Sequence, residues 1–245
     1  MYKQPQIYYI QSQKLQDKLF FESICADMKN SYYWSDDWSE EFYVTLAKKG
    51  FISTTYDTKD GLVLLPELEF DYGILDFENL HISKKVKKLL TKDDYKFSID
   101  ERFDEVLVKF EEFHKYNWLK GDYSELLRKL HTRECENFKI ISVELCSNGG
   151  ELICGEVGYI IGHTYTSLSG FSSKDKRYNN YGTLQLVLLG KYLQTNGFAF
   201  WNLGHPHMPY KQKLGVKTHT RAEFLSRWEK AATLPMINPS DIYFR

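Results

Sequence analysis

The stretch that decides the fold runs from residue 139 to residue 161 and reads KIISVELCSNGGELICGEVGYII. Two β-rich runs flank Ser147-Asn148-Gly149-Gly150, and an Asn-Gly pair between such runs is a strong signal for a tight hairpin turn. A third strand is predicted from His163 to Gly170. The segment therefore predicts three consecutive antiparallel strands.

The elements around these strands have a recognisable order. Two amphipathic helices are predicted before them, and a long helix that is apolar nearly all round follows them and ends at Gly197, so we expect it to be buried. A further strand and a last amphipathic helix close the chain. The ranges are 100–116 and 122–133 for the first two helices, 178–196 for the buried helix, 198–203 for the strand and 221–230 for the last helix.

This order is that of an α+β acyltransferase core. We expect an N-acetyltransferase-like core, with a mixed, mostly antiparallel sheet and packed helices, preceded by a small N-terminal α/β subdomain. The division is placed between residues 1–94 and residues 95–245. In the first part, a capped helix is predicted over 39–49, strands over 62–65 and 95–99, and an acidic loop over 67–78.

The segment LHISKKVKKLLTK, residues 80–92, concentrates positive charge in a chain whose net charge is only −1. At helical period its apolar residues form one stripe, while its lysines cover the rest, and Ser83 is placed to cap the helix. A helix with a cationic outer face suits a polyanion such as a nucleic-acid backbone. The candidate residues for contacts with such a polyanion are Lys84, Lys85, Lys87, Lys88 and Lys92.

The composition excludes several classes of protein. With 245 residues, 42% hydrophobic and 27% charged, the chain is long enough to bury a core. No apolar run approaches the roughly 20 residues of a membrane span, and the polar start MYKQPQIYYIQSQK lacks the apolar core of a secretory signal. Four cysteines without a CxxC pair predict neither disulfides nor a zinc site. We expect a cytoplasmic monomer without a metal, a cofactor or a membrane partner.

The loop before the buried helix bears on the acyl donor. An acyl-CoA user normally carries a Q/R-x-x-G-x-G/A loop here, because backbone N–H groups at a helix N-terminus bind pyrophosphate. Residues 173–182 read SKDKRYNNYG, which lacks that spacing. The expected donor is therefore not CoA.

Short motifs along residues 30–228 are collinear with those of a known family. They are DWSEEFYVTLAKKGFI at 37–52, LHISKKVKKLL at 80–90, Asn117-Trp118-Leu119, Leu130-His131, Gly155-x-x-Gly158, Gly170-Phe171-Ser172 and Leu214-Gly215-Val216. In order and spacing they resemble the leucyl/phenylalanyl-tRNA–protein transferases. The resemblance implies transfer of an amino acid from aminoacyl-tRNA to the N-terminus of a protein or peptide, a mark of the N-degron type, with the basic helix holding the tRNA.

The chain also departs from the family at its site. Leu168 stands where the family has a Glu implicated in binding the acceptor, and Leu203-Gly204-His205 replaces an Asp-x-Gln near the reaction centre. Glu156 and Gly170 stand where the family places two methionines in the aminoacyl pocket. A larger, acidic pocket suits a long cationic side chain, so we expect arginine or lysine to be transferred rather than leucine or phenylalanine.

Aminoacyl transfer to an amine needs a proton acceptor and donors for the developing oxyanion. The candidate catalytic residues are Asn202 and His205, and His207 and Glu156 are further candidates for handling protons. An internal partner such as Arg177 would instead make Glu156 structural. The candidate substrate-binding residues are Trp118, Glu156, Gly170, Phe171 and Ser172.

Two other functions remain open from the sequence. The chain could be a non-catalytic tRNA- or RNA-binding relative, because residues of the family's reaction centre are replaced. It could also be an acyltransferase that uses another acyl donor, in which case the lysine helix would have no part in the reaction.

Overall fold

The computed structural model describes residues 7–113 and 118–238. The predicted positions 114–116 and Asn117 lie outside the described residues. The strands are β1 (Tyr8–Tyr9), β2 (Tyr33–Trp34), β3 (Ile52–Thr58), β4 (Gly61–Glu67), β5 (Asp71–Leu75), β6 (Tyr95–Ile99), β7 (Lys139–Ser147), β8 (Leu152–Ile161), β9 (Thr164–Ser172), β10 (Phe200–Asn202) and β11 (Lys217–Thr220). The helices are α1 (Ser12–Gln16), α2 (Lys18–Ala26), α3 (Glu40–Lys48), α4 (Lys84–Leu90), α5 (Phe103–Phe113), α6 (Asp122–Thr132), α7 (Tyr181–Thr195), α8 (Pro209–Leu214) and α9 (Arg221–Ala232).

A seven-stranded sheet with the order β11-β5-β10-β9-β8-β7-β6 forms the centre of the molecule. Strands β6 to β9 are antiparallel neighbours, as the hairpin signal predicts, and β10 runs parallel to β9. The sheet is therefore mixed and mostly antiparallel. The α+β class is confirmed. The predicted elements from β6 to α9 occur in the predicted order, with the additional strand β11 between α8 and α9.

The sheet opens between β9 and β10. Strand β10 is short and pairs with β9 only over Thr164–Thr166. Beyond Thr166 the ladder between the two strands ends, because β10 itself ends at Asn202. The later residues of β9 therefore border the space beside the first turn of α7.

The predicted acidic loop over 67–78 is wrong in part, because it contains β5. Strand β5 pairs antiparallel with both β10 and β11, so it lies inside the large sheet. The strand has only five residues, so its apolar pattern is too short to predict a strand from the sequence. The strands with which it pairs, β10 and β11, lie far along the chain. The division between residues 94 and 95 stays a prediction, and β5 ties the first part to the sheet of the second.

Helices cover both faces of the sheet. Alternate residues of the strands feed two apolar clusters, with Tyr159 in the cluster that contains α5 and α6 and Ile160 in the cluster that contains α7. Leu184, Leu188 and Leu189 of α7 are buried, which confirms the predicted internal helix.

The lysine helix α4 packs on α7. Its N-cap is Ser83, whose hydroxyl accepts a hydrogen bond from the Val86 N–H at 3.3 Å, and Val86 and Leu89 are buried. The chain just before α4 passes close to Gly215, whose φ is +105°. A Cβ at Gly215 would lie 1.9 Å from the Asn79 carbonyl oxygen, so only glycine fits this contact.

A buried arginine, Arg221, links the end of α2 to the loop before β5 through hydrogen bonds. The Arg221 guanidinium, only 2% exposed, donates hydrogen bonds to backbone carbonyl oxygens of separate segments. The accepting residues are Ile24, Cys25, Asp27, Asn30, Leu68 and Glu69. Because these carbonyls come from the end of α2 and from the loop before β5, one side chain fixes both.

Candidate functional site

A cavity of about 550 Å³ lies where the sheet opens. Its walls come from β8, from the later residues of β9, from the first turns of α7, from the segment after β10 and from α8. The five predicted substrate-binding residues, which come from three separate parts of the sequence, all line it: Trp118, Glu156, Gly170, Phe171 and Ser172.

Glu156 is held inside the cavity wall by neutral donors. Its Oε1 accepts hydrogen bonds from the Tyr165 hydroxyl at 2.9 Å and from the Ser167 hydroxyl at 2.6 Å. The Trp201 indole N–H in turn donates to the Ser167 Oγ at 2.8 Å. These bonds orient the carboxyl group without neutralising its charge.

Burial dominates the ionisation of Glu156. The side chain is only 5% exposed, and burial raises its pKa to about 7, against the lowering effect of the two hydroxyl donors. The suggested internal partner is not used, because Arg177 pairs with Asp175 and with Glu151 at the surface. Glu156 therefore carries no ion pair from Arg177.

Two glycines shape the space around this carboxyl group. Gly170 is the cross-strand partner of Glu156, and a Cβ on Gly170 would lie 3.7 Å from the Glu156 Oε2. Glycine at this position adds no side chain beside the carboxyl group, in a part of the cavity wall that both residues line. At Gly158, a Cβ would come within 2.4 Å of the Tyr165 hydroxyl, so glycine makes room for the donor to Glu156.

Two aromatic residues, Phe171 and Trp118, also line the cavity. Phe171 stacks on Phe113 with 4.8 Å between ring centroids and meets Phe110 edge to face at 5.6 Å. Trp118 lies 5.5 Å from the Tyr123 ring, and its carbonyl accepts a hydrogen bond from the Thr55 hydroxyl at 2.7 Å. Trp118 thus packs against the core with one face and borders the cavity as well.

Lys211 is a cavity residue that the sequence did not single out. It is 5% exposed, and its ammonium donates to the carbonyl oxygens of Leu203 at 2.5 Å and His205 at 2.7 Å. Among the described residues that line the cavity, Glu156 is the one with an acidic side chain and Lys211 the one with a basic side chain. In sequence, Lys211 looks like any lysine of a short polar helix, so only the packing of α8 reveals it.

The two predicted catalytic residues lie beside the cavity and do not line it. Asn202 is buried, and its Oδ1 accepts a hydrogen bond from the Gly204 N–H at 2.9 Å, which closes the end of β10. His205 is exposed, and partial burial followed by the neighbouring His207 lowers the pKa of its imidazole. Their catalytic roles stay predictions, and the geometry gives Asn202 a structural part.

The lysines of α4 and Lys92, which follows the helix, form an exposed positive surface. All five candidate tRNA-binding lysines are exposed. Lys92 pairs with Asp94 at 3.4 Å, whereas within residues 7–113 and 118–238 no ion pair engages the other four. Since α4 packs on α7, and the first turns of α7 line the cavity, this surface and the cavity share one helix.

Two further observations concern the described residues alone. They contain no group of three or more His, Cys, Asp or Glu side chains arranged to hold a metal ion. They also contain no helix that is both long enough and apolar enough to span a bilayer.

Comparison with known proteins gives concordant matches. A family model described as leucyl/phenylalanyl-tRNA protein transferase matches residues 74–229. A leucyl/phenylalanyl-tRNA–protein transferase of Pseudoalteromonas atlantica is 28% identical over 67% of this chain and 67% of that protein. One of Rubrobacter xylanophilus is 26% identical over 66% of this chain and 80% of that protein.

A solved structure, that of FemX, aligns over 78% of this chain and 70% of its own, with 13% identity and a TM-score of 0.46. The assignment to a family rests on the sequence model, which spans well over half of the chain, from β5 to α9. The chain belongs to the leucyl/phenylalanyl-tRNA protein transferase family.

Proposed function

We propose that this protein transfers an amino acid from an aminoacyl-tRNA to the N-terminal amine of a protein or peptide. The observation that carries the proposal is the shared cavity in which residues 118, 156 and 170–172 meet, beside a helix that also supports the lysine surface. An aminoacyl ester delivered by tRNA needs both features, one for the amino acid and one for the phosphates.

The reaction depends mainly on how the amine and the ester are positioned. The ester bond of aminoacyl-tRNA is already activated, so a neutral amine held against the ester carbonyl reacts without a cofactor. Trp118 and Phe171 line the cavity, and an aminoacyl group that fills it would displace water from the ester, which favours transfer over hydrolysis. The modified N-terminus would act as an N-degron in the cytoplasm, where charged tRNA is found.

The lysine surface is the proposed tRNA contact. Four of its lysines are free of ion pairs in the described part of the chain, so their charge is available to phosphate groups. Each phosphate contact adds to the salt dependence of binding, with a slope of about −0.9 per contact on a duplex.

Glu156 and Gly170 are the proposed determinants of which amino acid is transferred. A carboxylate that lines the cavity pairs well with a guanidinium or ammonium group. A bound cation would also offset the burial that raises the pKa of Glu156. The proposed transferred residue is therefore arginine or lysine, and a monomer suffices because one chain supplies every wall named here.

The experiment is a transfer assay with a panel of radiolabelled aminoacyl-tRNAs and peptides with different N-terminal residues. Incorporation of label that is abolished by ribonuclease supports the proposal. Binding of tRNA without transfer of any residue would identify a non-catalytic RNA-binding relative. Neither binding nor transfer, together with acylation from another donor, would identify a different acyltransferase.

Specificity is tested with Glu156→Met and the matched variant Glu156→Gln. We expect wild-type protein to prefer arginyl- or lysyl-tRNA, and Glu156→Met to shift preference toward leucyl- and phenylalanyl-tRNA. Glu156→Gln keeps the shape and removes the charge, so it should lose the cationic preference without gaining the apolar one. Wild-type preference for leucyl- or phenylalanyl-tRNA would reject the acidic-pocket proposal and leave transfer itself intact.

A further inference from the structure

Lys211 lines the cavity, and its buried ammonium group has hydrogen-bonding capacity that the described residues do not use in full. A lysine ammonium has three N–H donors. Two of them serve the carbonyl oxygens of Leu203 and His205, and the side chain lines the cavity. The third N–H has no hydrogen-bond acceptor among the described residues, and the Tyr210 ring, which also lines the cavity, lies 5.9 Å from the ammonium. This donor is therefore available to a group that occupies the cavity.

The neighbouring acids do not neutralise this ammonium by contact. Glu69 and Glu156 act on it through space and raise the pKa of Lys211, whereas burial, the larger effect, lowers it. Within the described residues, neither acid forms an ion pair with Lys211 at 4 Å or less. A buried charge without a salt-bridge partner is costly, so a purely structural clamp of two carbonyls would be served better by a neutral donor.

We propose that the Lys211 ammonium donates a hydrogen bond to the ester carbonyl oxygen of the bound aminoacyl group and stabilises the oxyanion that forms there. This inference rests on the proposed function. It gives the two charges of the cavity complementary tasks. Glu156 faces the positive end of the aminoacyl group, and Lys211 faces the carbonyl oxygen that becomes negative.

The step balances with groups already named. The neutral amine nitrogen attacks the ester carbonyl carbon, a C–N bond forms, and the carbonyl π pair moves to the oxygen that faces Lys211. When the tetrahedral intermediate collapses, the C–O bond to the ribose breaks. The proton lost by the amine ends on the departing ribose oxygen, so the products are an amide and a tRNA hydroxyl. Lys211 keeps its own proton throughout.

The test compares Lys211→Met, which removes all three donors, with Lys211→Gln, which retains a neutral donor for the backbone carbonyls. Lys213 lies on the same helix and is exposed, so Lys213→Met is the matched control. We expect both Lys211 variants to lose about 10²- to 10³-fold in kcat, the usual effect of removing one oxyanion donor. Affinity for an amide-linked, unreactive aminoacyl-tRNA should change little, and Lys213→Met should behave as wild type.

Three outcomes are informative. Wild-type kcat in a folded Lys211→Met, or full recovery in Lys211→Gln, would overturn the inference and leave a structural clamp. A wild-type protein that transfers no residue from any charged tRNA would instead count against the proposed function. If the variants do not fold, wild-type protein is tested with an aminoacyl-adenosine analogue that carries a phosphonate in place of the ester. We expect the anionic phosphonate to bind on the order of 10²-fold more tightly than the neutral amide analogue, and equal affinities would overturn the inference.

Discussion

Replacing Glu156 by glutamine should make the stability of the folded protein less dependent on pH. In the folded protein burial raises the pKa of this carboxyl to about 7, from an ordinary value of 4.5. Because the folded state holds the proton more tightly than the unfolded state, protonation of Glu156 stabilises the folded protein. This stabilisation is complete below pH 4.5. It is lost as the pH rises through about 7.

The size of the effect follows from that difference. Each pKa unit corresponds to about 1.4 kcal/mol, so the wild-type protein should lose about 3 kcal/mol of unfolding free energy through this group across the interval. The glutamine side chain of the Glu156→Gln variant would keep an oxygen for the Tyr165 and Ser167 hydroxyls but has no proton to release. This variant should therefore be more stable than wild type above about pH 7 and nearly equal to it near pH 4.5.

Urea denaturation at half-unit intervals from about pH 5 to about pH 8 measures the effect, with the exposed Glu111→Gln as the control. Burial also raises the pKa of Glu69, to about 8, so a residual slope of the same sign should persist in Glu156→Gln and become smaller when Glu69→Gln is added. Part of the slope should remain even then, because burial raises the pKa of Glu67 and Glu144 as well. Identical pH slopes for wild type and Glu156→Gln would show that the carboxyl titrates in the ordinary range. The argument from burial would then be wrong.

Three further outcomes are expected. Reversing four charges of α4 should abolish tRNA binding in a filter assay, with an unchanged circular dichroism spectrum. This variant carries Lys84→Glu, Lys85→Glu, Lys87→Glu and Lys88→Glu. Unchanged affinity in a folded variant would show that this surface does not bind tRNA. Leu188→Asp should unfold the chain, since it places an unpaired carboxylate in the buried helix, and a wild-type melting curve would contradict this. Arg221→Met should lower the unfolding free energy by about 3 kcal/mol or more, measured by urea denaturation, because it leaves several buried carbonyls without a donor; a loss under about 1 kcal/mol would show that water replaces the guanidinium.

The long elements were predictable because their signals are local. The hairpin at 147–150, the capped lysine helix and the apolar helix α7 each carry their pattern within one segment. Strand β5 was missed because its stability comes from pairing with β10 and β11, which no local pattern reveals.

The candidate site divides in the same way. Glu156 and Gly170 could be named from motif positions, and the cross-strand register then brings them together. Lys211 could not be found, because nothing in its neighbours along the chain distinguishes a lysine turned inward from one in solvent. For Asn202, the amide serves the turn after β10, a use that depends on the path of the backbone.

Under the proposed tRNA contact, the packing of α4 on α7 fixes the distance between the acceptor-stem phosphates and the cavity. Helix α7 has 15 residues and is therefore about 22 Å long. A tRNA whose acceptor stem rests on the lysines of α4 must present its esterified end at a fixed distance from them to reach the cavity beside the first turn. The protein would then select substrates by the length of the single-stranded 3′ end as well as by the attached amino acid, and shortening or lengthening that end by a nucleotide would put the ester out of register with Lys211.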